Sequence, residues 1–161
     1  MLGFYNIEES YIKYLQGFDS KVPNIGYTTH NKFVCGVVLK INNLDYYVPL
    51  SSNQKMFKTS FAIKDGNNIV ATLRFSFMFP APLSVLSAMN FKQIEQEDRQ
   101  YGKFLEKEWR YCISKEQQIL NKAKRVYNMG SNPKHQFYNV CCDFIKLEEA
   151  AKEYIQRYSK K

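Results

Sequence analysis

Two apolar segments separated by only two asparagines dominate the first third of the chain. They run from Lys32 to Ile41 and from Leu44 to Leu50. β-Branched and aromatic residues of this kind favour strands, and asparagine tolerates the positive φ that a two-residue hairpin turn requires. The pattern predicts an antiparallel hairpin with Asn42 and Asn43 at its turn.

The length of the turn sets which residues of the two strands face each other. With a two-residue loop, Val34 faces Ser51, and Lys32 ends beside the Ser51–Ser52 pair. Because side chains alternate across a strand, we expect Lys32 and Ser51 on one face of the sheet and Ser52 on the other. A bulge near the glycine or the proline of the hairpin would shift this register.

A lysine and two serines at one end of a sheet form a candidate catalytic group, with Lys55 following shortly after them. The chain has no paired acids and no Gly-rich phosphate loop beside them, and lysine and hydroxyl groups are the components of a metal-independent RNA cleavage site. Such residues at strand ends are more often part of a solvated surface. The spacing alone leaves both alternatives open.

The charge balance favours a polyanionic partner. The chain has 23 Lys and Arg against 15 Asp and Glu, a formal net charge of +8. Cationic side chains that displace counterions from phosphates strengthen binding to nucleic acids. Most of the 12 Tyr and 12 Phe residues are expected in the core, and the rest are suited to stack on unpaired bases of single-stranded RNA.

Length and cysteine spacing indicate one domain without a metal centre. A chain of 161 residues is expected to fold as a single domain spanning 1–161. The cysteines, Cys35, Cys112, Cys141 and Cys142, match no CxxC ligand spacing, so buried reduced thiols are expected and no metal or cofactor. The chain lacks a signal-like start and an apolar run long enough for a membrane span, which predicts a cytoplasmic protein without a membrane partner.

Hydrophobic periodicity predicts the remaining elements. The predicted strands are Leu2–Ile7, Phe61–Lys64, Ile69–Met78 and Phe137–Val140, and the predicted helices follow Glu8, span Ser84–Met89, run from Phe91 to Tyr127 and follow a cap at Asp143. A capping-box pattern over Ser114–Gln117 indicates a break in the long helical region. Together the pattern predicts an α+β fold, an antiparallel sheet with helices packed around it.

Several segments of the first half carry a family likeness. They are Phe4–Ile7, Tyr11–Leu15, Phe18–Asn24, Lys32–Leu39, Pro49–Ser52 and Leu73–Pro80, with a weaker continuation in Tyr101–Ile119 and Asp143–Tyr154. These segments resemble the toxins of type III toxin-antitoxin systems, the ToxN, CptN and AbiQ group of endoribonucleases. The resemblance covers most of the chain.

The resemblance implies a fold, an activity and a set of partners. The implied fold is a strongly curved antiparallel sheet surrounded by helices, similar to MazF and Kid toxins. The implied activity is metal-independent, sequence-specific RNA cleavage that leaves a 2′,3′-cyclic phosphate and acts in bacteria against bacteriophage. The implied partners are mRNA substrates and a small RNA pseudoknot antitoxin, which the toxin cuts from a repeated transcript and with which it assembles into closed rings.

The resemblance also implies roles for individual residues. The family's catalytic lysine falls on Lys32, and its paired hydroxyl groups fall on Ser51 and Ser52. A basic residue follows at Lys55, and the family's tyrosine before the lysine corresponds to Tyr27. Lysine can neutralise the charge that develops on the phosphorane, and beside other cations it can also move protons.

Three further residues are expected to contact RNA. Tyr111 occupies the position of an aromatic residue on the long helix that lies near the RNA in relatives, and Lys115 belongs to the same basic helical region. His30 lies two residues before Lys32 and is a candidate proton-transfer group, although a single loop histidine is more often plain surface.

Two other functions fit parts of the same pattern. A non-catalytic RNA-binding module would have the same charge and aromatic content, and cleavage of RNA in EDTA separates it from the nuclease. A DNA-binding regulator is disfavoured because the sequence has no helix-turn-helix spacing and the strongest likeness lies in strands.

Overall fold

The computed structural model describes residues 1–24 and 32–158. Within them, seven strands and five α-helices form an α+β fold with an antiparallel sheet, as the sequence predicts. The strands are β1 (Gly3–Ile7), β2 (Val34–Ile41), β3 (Leu44–Ser51), β4 (Ser60–Asp65), β5 (Asn68–Arg74), β6 (Phe79–Pro80) and β7 (Leu86–Ala88). The helices are α1 (Glu9–Gln16), α2 (Phe91–Glu97), α3 (Arg99–Ser114), α4 (Glu116–Gly130) and α5 (Phe144–Tyr158).

The order of strands places β3 in the middle of the sheet. The strands follow one another as β4-β5-β3-β2-β1-β7. One edge of β3 pairs with β2, whereas its other edge pairs first with β6 at Tyr46 and Tyr47 and then with β5 at Leu50 and Ser51. The C-terminal end of β3 is therefore held between β2 and β5.

The predicted β2–β3 hairpin and its turn are confirmed. Asn42 and Asn43 have φ of 52° and 64°, the left-handed conformation that a two-residue turn requires. Next to the turn, Ile41 pairs with Leu44 and Lys40 with Asp45. The turn chemistry therefore fixes the pairing locally.

The predicted register is wrong beyond the middle of the hairpin. Leu39 pairs with Tyr46, but Gly36 pairs with Tyr47, so β2 has two more residues than β3 at this point. Val34 consequently faces Pro49 and not Ser51. A bulge of this kind bends a strand and displaces the pairing that follows.

Close packing explains why glycine stands at the start of this bulge. A Cβ added to Gly36 would lie 2.4 Å from Cδ1 of Tyr47 and 3.1 Å from the backbone oxygen of Tyr46. Tyr47 is almost fully buried, so its ring has little room to move. The bulge thus depends on a side chain that the hairpin pattern alone does not reveal.

Three predicted elements have a different structure. The strand predicted over Ile69–Met78 ends at Arg74, and a 3₁₀ turn over Phe75–Phe77 follows, where the backbone oxygen of Ser76 accepts a hydrogen bond from the nitrogen of Cys142 at 2.8 Å. In place of the helix predicted over Ser84–Met89, the structure has a 3₁₀ turn, Leu83–Val85, followed by β7, which pairs with β1. In place of the strand predicted over Phe137–Val140, it has a 3₁₀ turn over Tyr138–Val140. In the first two cases, contacts with segments distant in sequence replace the local preference.

The helix boundaries follow the sequence more closely, although the helical region predicted from Phe91 is also interrupted at Asp98, between α2 and α3. The predicted break in the long helical region lies at Lys115, between α3 and α4. The predicted cap of α5 is also present, because Oδ1 of Asp143 accepts a hydrogen bond from the backbone nitrogen of Lys146 at 3.1 Å.

A buried carboxylate joins the hairpin to the helices. Glu148 of α5 is 3% exposed and accepts hydrogen bonds from the hydroxyls of Tyr46 at 2.6 Å and Tyr127 at 2.7 Å, and from Nδ2 of Asn42 at 3.0 Å. Burial, followed by this carboxylate, raises the pKa of both tyrosines above the ordinary value. The turn, β3, α4 and α5 are thereby linked through one side chain.

The four cysteines are free and buried, as expected. Residues of the sheet and of the surrounding helices join in one hydrophobic cluster. Among the described residues, no helix combines the length and the apolar character needed to span a membrane.

Candidate functional site

Lys32 and Ser51 lie at the same end of the β2–β3 hairpin. Past the last ladder pair, Val34 with Pro49, the backbone nitrogen of Leu50 donates a hydrogen bond to the oxygen of Phe33 at 3.2 Å. Continuing this register by one residue places Lys32 opposite Ser51. The bulge therefore moves Lys32 along the neighbouring strand by two residues and keeps it on the face of Ser51, since side chains alternate with a period of two.

A chain of hydrogen bonds connects Ser51 to the end of β5. Oγ of Ser51 accepts a hydrogen bond from the backbone nitrogen of Asn53 at 3.1 Å. The backbone oxygen of Asn53 accepts one from Oγ1 of Thr72 at 3.1 Å, and Oγ1 of Thr72 accepts one from Nε of Arg74 at 3.2 Å. Thr72 pairs with Ser51 in the β3–β5 ladder and is fully buried. The guanidinium of Arg74 is thus positioned relative to Ser51 through a buried hydroxyl.

An exposed aromatic ring lies close to two cations beside this chain of hydrogen bonds. Phe57 is 43% exposed; the guanidinium carbon of Arg74 lies 4.8 Å from its ring centroid and Nζ of Lys55 lies 5.2 Å from it. Partial burial lowers the pKa of Arg74 from its ordinary value. Arginine nevertheless remains charged at neutral pH. The two cations hold a ring whose exposed surface is suited to stack on a base.

The structure brings together some of the predicted site residues. Lys32, Ser51 and Lys55 lie at one end of the sheet, and the backbone nitrogen of Lys55 donates to Oδ1 of Asn53 at 3.0 Å. Ser52 is exposed and directly follows β3. Tyr27 and His30 lie outside the described residues, so their placement stays a prediction.

Tyr111 and Lys115 lie apart from this cluster. Tyr111 is at the end of α3 and lines a cavity of about 370 Å³ together with the β4–β5 turn. Lys115 is the residue between α3 and α4, and its backbone nitrogen donates to the oxygen of Tyr111 at 3.1 Å. The β4–β5 turn is the end of that hairpin remote from Arg74, which pairs with Ser60 at its other end.

A second, basic groove runs along α4 next to the Ser60–Arg74 pair. It has a volume of about 840 Å³ and is lined by Phe61 of β4 and by cations and amides of α4: Gln118, Asn121, Lys122, Lys124, Arg125 and Asn128. Partial burial and then the charge of Arg125 lower the pKa of Lys122, which indicates crowded positive charge. Cations for phosphates and amides for base edges are the groups that nucleic acids require.

The cluster at the end of the hairpin has the components for charge stabilisation at a phosphate. Lys32, Lys55 and Arg74 supply positive charge, and the serine hydroxyls supply hydrogen-bond donors. Among the described residues, no group of three or more His, Cys, Asp or Glu side chains is arranged to hold a metal ion.

The cluster also contains three residues that the sequence pattern did not predict: Arg74, Thr72 and Phe57. Thr72 and Arg74 are two residues apart at the end of β5, so their side chains lie on the same face of the sheet. Polar residues at every second position could have indicated that this face is functional. Phe57 follows Lys55 in a polar segment between strands, and an aromatic residue in such a segment is a signal for binding.

Comparison with known proteins relates the chain to a family. The sequence profile of the family described as "Toxin ToxN, type III toxin-antitoxin system" matches residues 3–152. The endoribonuclease ToxN of Bacillus thuringiensis subsp. kurstaki is 34% identical over 164 residues, covering 96% of this chain and 84% of the relative.

Two solved structures have the same fold. One comes from work on a bacterial type III toxin-antitoxin system whose toxin is selectively inhibited by a non-coding RNA pseudoknot; its TM-score is 0.89 at 32% identity, covering 95% of this chain and 97% of that one. The other is AbiQ, a lactococcal anti-phage endoribonuclease of the same kind of system, with a TM-score of 0.80 at 31% identity over 100% and 99% of the two chains.

Proposed function

Because this chain belongs to the ToxN family of toxins from type III toxin-antitoxin systems, we propose that it is a metal-independent endoribonuclease whose reaction takes place at the end of the β2–β3 hairpin. The observation that carries the proposal is the grouping of Lys32 and Ser51 with Arg74 and Lys55 around exposed strand ends. The proposed site is where charge stabilisation and RNA access coincide.

The proposed reaction is an internal transesterification. The ribose 2′-OH loses its proton and attacks the adjacent phosphorus, the bond from phosphorus to the 5′-oxygen breaks, and that oxygen gains a proton. The products are a 2′,3′-cyclic phosphate and a free 5′-hydroxyl. Lys32 stabilises the charge on the phosphorane and takes part in proton transfer.

The other residues of the cluster hold the substrate. The hydroxyls of Ser51 and Ser52 donate hydrogen bonds to the scissile phosphate, and Arg74 and Lys55 bind the flanking phosphates. Phe57 stacks on a base next to the cut, because its ring is partly exposed and lies close to the two cations. Tyr27 and His30, which precede Lys32 in the sequence, are proposed to complete the site.

The partner of the same surface is a small RNA pseudoknot antitoxin. The basic groove along α4 is lined by Phe61, the residue after Ser60, which pairs with Arg74 of the hairpin cluster, so we expect one RNA to occupy both. We expect the antitoxin's processed end to remain where substrate phosphates bind, so that product retention and occlusion inhibit the toxin. The protein would act against bacteriophage in the bacterial cytoplasm and assemble with its RNA into closed rings.

A matched pair of lysine variants tests the proposal. Lys32→Ala should reduce RNA cleavage by about 10² to 10⁴-fold and abolish growth inhibition, whereas Lys40→Ala should retain both. Lys40 is a suitable control because it is a lysine of β2 near the turn, at the other end of the hairpin, and forms an ion pair with Asp45 at 3.2 Å. Cleavage is measured in EDTA, with analysis of the cyclic phosphate and with an RNA that carries a 2′-deoxyribose at the cut.

Two outcomes would contradict the proposal. If the Lys32→Ala variant were fully toxic, the active site could not lie at Lys32. Tight binding of RNA without any cleavage by the unaltered protein in EDTA would instead favour a non-catalytic RNA-binding module.

A further inference from the structure

The cavity between α3 and the β4–β5 turn contains an acid that the proposed reaction does not use. Glu108 of α3 lines this cavity of about 370 Å³ and is only 5% exposed. The structure shows no hydrogen bond or ion pair between its carboxyl group and any described residue, although burying such a group without a partner is costly.

The neighbouring cations do not neutralise this acid. Arg110 lines the same cavity, but its guanidinium forms an ion pair with Glu106 at 2.9 Å. Burial raises the pKa of Glu108 to about 7. A largely buried carboxyl group that lines a cavity, without a hydrogen-bond partner among the described residues, is suited to a ligand that brings its own hydrogen-bond donor.

Two aromatic residues flank Glu108 on the same face of the helix. Phe104 and Tyr111 also line the cavity; they stand four residues before and three residues after Glu108, so the three side chains lie one above another. Phe104 is 39% exposed and Tyr111 is half-buried. The cavity thus combines flat apolar surfaces with one polar group between them.

The rim of the cavity carries positive charge. Lys64 of β4 and Lys107 and Arg110 of α3 contribute to its lining, together with one further carboxylate, Asp65. Cations at the rim attract phosphates, whereas a buried carboxyl group repels them. An RNA can satisfy both conditions only if its backbone stays at the rim and a base enters the cavity.

On these grounds we propose that the cavity binds one unpaired nucleobase with an exocyclic amino group, which donates a hydrogen bond to Glu108 while Phe104 and Tyr111 stack on the ring. Adenine, cytosine and guanine have such a group and uracil does not. This inference rests on the proposed nuclease function. It would explain how the protein prefers some RNA sequences over others.

The position of the cavity suits a base near the cut. Val70 lines the cavity and belongs to β5, the strand that ends at Arg74 in the hairpin cluster. Val70 and Arg74 are four positions apart along β5, which is about 13 Å at ~3.3 Å per residue. A single strand of RNA bound at the cluster can therefore place a nearby base in the cavity.

The test compares cleavage of short RNAs by three forms of the protein. Starting from an RNA that the unaltered protein cuts, each base near the cut is replaced in turn by uracil and by an analogue that lacks only the amino group. We expect one position at which loss of the amino group lowers kcat/KM by about 10 to 100-fold, the loss associated with a hydrogen bond to a charged group. Glu108→Leu should show no such loss at that position, and Glu149→Gln, an exposed acid of α5, should behave like the unaltered protein.

A second variant identifies the base. The amide of Glu108→Gln offers one acceptor and one donor, as the edges of adenine and cytosine require, whereas the edge of guanine presents two donors. Retained discrimination in this variant indicates adenine or cytosine, and lost discrimination indicates guanine. Equal discrimination by Glu108→Leu and the unaltered protein at every position overturns the inference.

Folding and activity are controlled separately. If Glu108→Leu does not fold, Phe104→Ser takes its place, because Phe104 is partly exposed and should weaken discrimination at the same position. If the unaltered protein does not cut RNA, the proposed function fails. The same series of bases is then compared by the binding of uncleavable 2′-deoxy RNA. Weaker binding at one position after loss of the amino group supports the inference, and equal binding at every position overturns it.

Discussion

Replacing Glu108 with glutamine should change how the stability of the protein depends on pH. Glu108 is buried without a hydrogen-bond or ion-pair partner among the described residues, and this burial raises its pKa from 4.5 to about 7. Between these two values the folded protein holds a proton that the unfolded chain has lost, so the free energy of unfolding falls as the pH rises. Above about pH 7 both states are ionised and the loss is complete.

The size of the effect follows from the shift of the pKa. Each unit is worth about 1.36 kcal/mol, so the unaltered protein should lose about 2 to 3 kcal/mol of stability from this group between pH 5 and pH 8. Glu108→Gln lacks the titrating proton. The free energy of unfolding of Glu108→Gln, relative to that of the unaltered protein, should therefore rise by up to the same amount between pH 5 and pH 8.

Urea unfolding at pH 5, 6, 7 and 8 measures the difference directly. The other charged or titratable groups that face Glu108 are Lys64, Asp65, Tyr101, Lys107, Arg110 and Tyr111, and they are present in both proteins. Glu149→Gln, which removes an exposed acid, should leave the pH dependence unchanged. Parallel stability curves for Glu108→Gln and the unaltered protein would refute the reasoning, because they would mean that Glu108 is ionised in the fold over the whole interval.

Three further predictions concern the hairpin and the RNA surface. Ser51→Ala should reduce RNA cleavage more than Ser52→Ala, because Ser51 lies on the face of Lys32; a larger effect of Ser52→Ala would contradict the register. Lys55→Ala and Lys115→Ala should each flatten the plot of log affinity for the antitoxin against log salt by up to about one unit, and unchanged slopes for both would place the RNA backbone elsewhere. Gly36→Ala should lower the free energy of unfolding by about 1 to 3 kcal/mol through overpacking against the neighbouring tyrosine ring, and thermal unfolding unchanged from wild type would contradict that contact.

Local chemistry made part of the fold predictable. The turn at Asn42 and Asn43, the break at Lys115 and the cap at Asp143 each depend on residues adjacent in sequence. The resemblance to known toxins supplied the family and the residues expected to act on RNA, including Lys32 and Ser51. For these features the determining interactions lie within a few residues or in a shared pattern.

Long-range packing determined what the sequence did not reveal. The bulge in β2 begins at Gly36, where the ring of Tyr47 from the other strand leaves no room for a Cβ. Arg74 joins the candidate site because Thr72 and Phe57 hold its guanidinium, and Glu108 is buried because a hairpin distant in sequence covers α3. Periodicity gives no information about which elements will meet in this way.

The bulge in β2 has a consequence for how this family can vary in length. It adds two residues to one strand, and an even number restores the alternation of side chains on either side of it. Deleting one residue between Gly36 and Leu39 would turn Lys32 to the opposite face of the sheet, whereas deleting two would keep its orientation and slide it along Ser51's strand. Relatives that keep the lysine in place should therefore differ here by pairs of residues, and single insertions should be found only where a second irregularity reverses them.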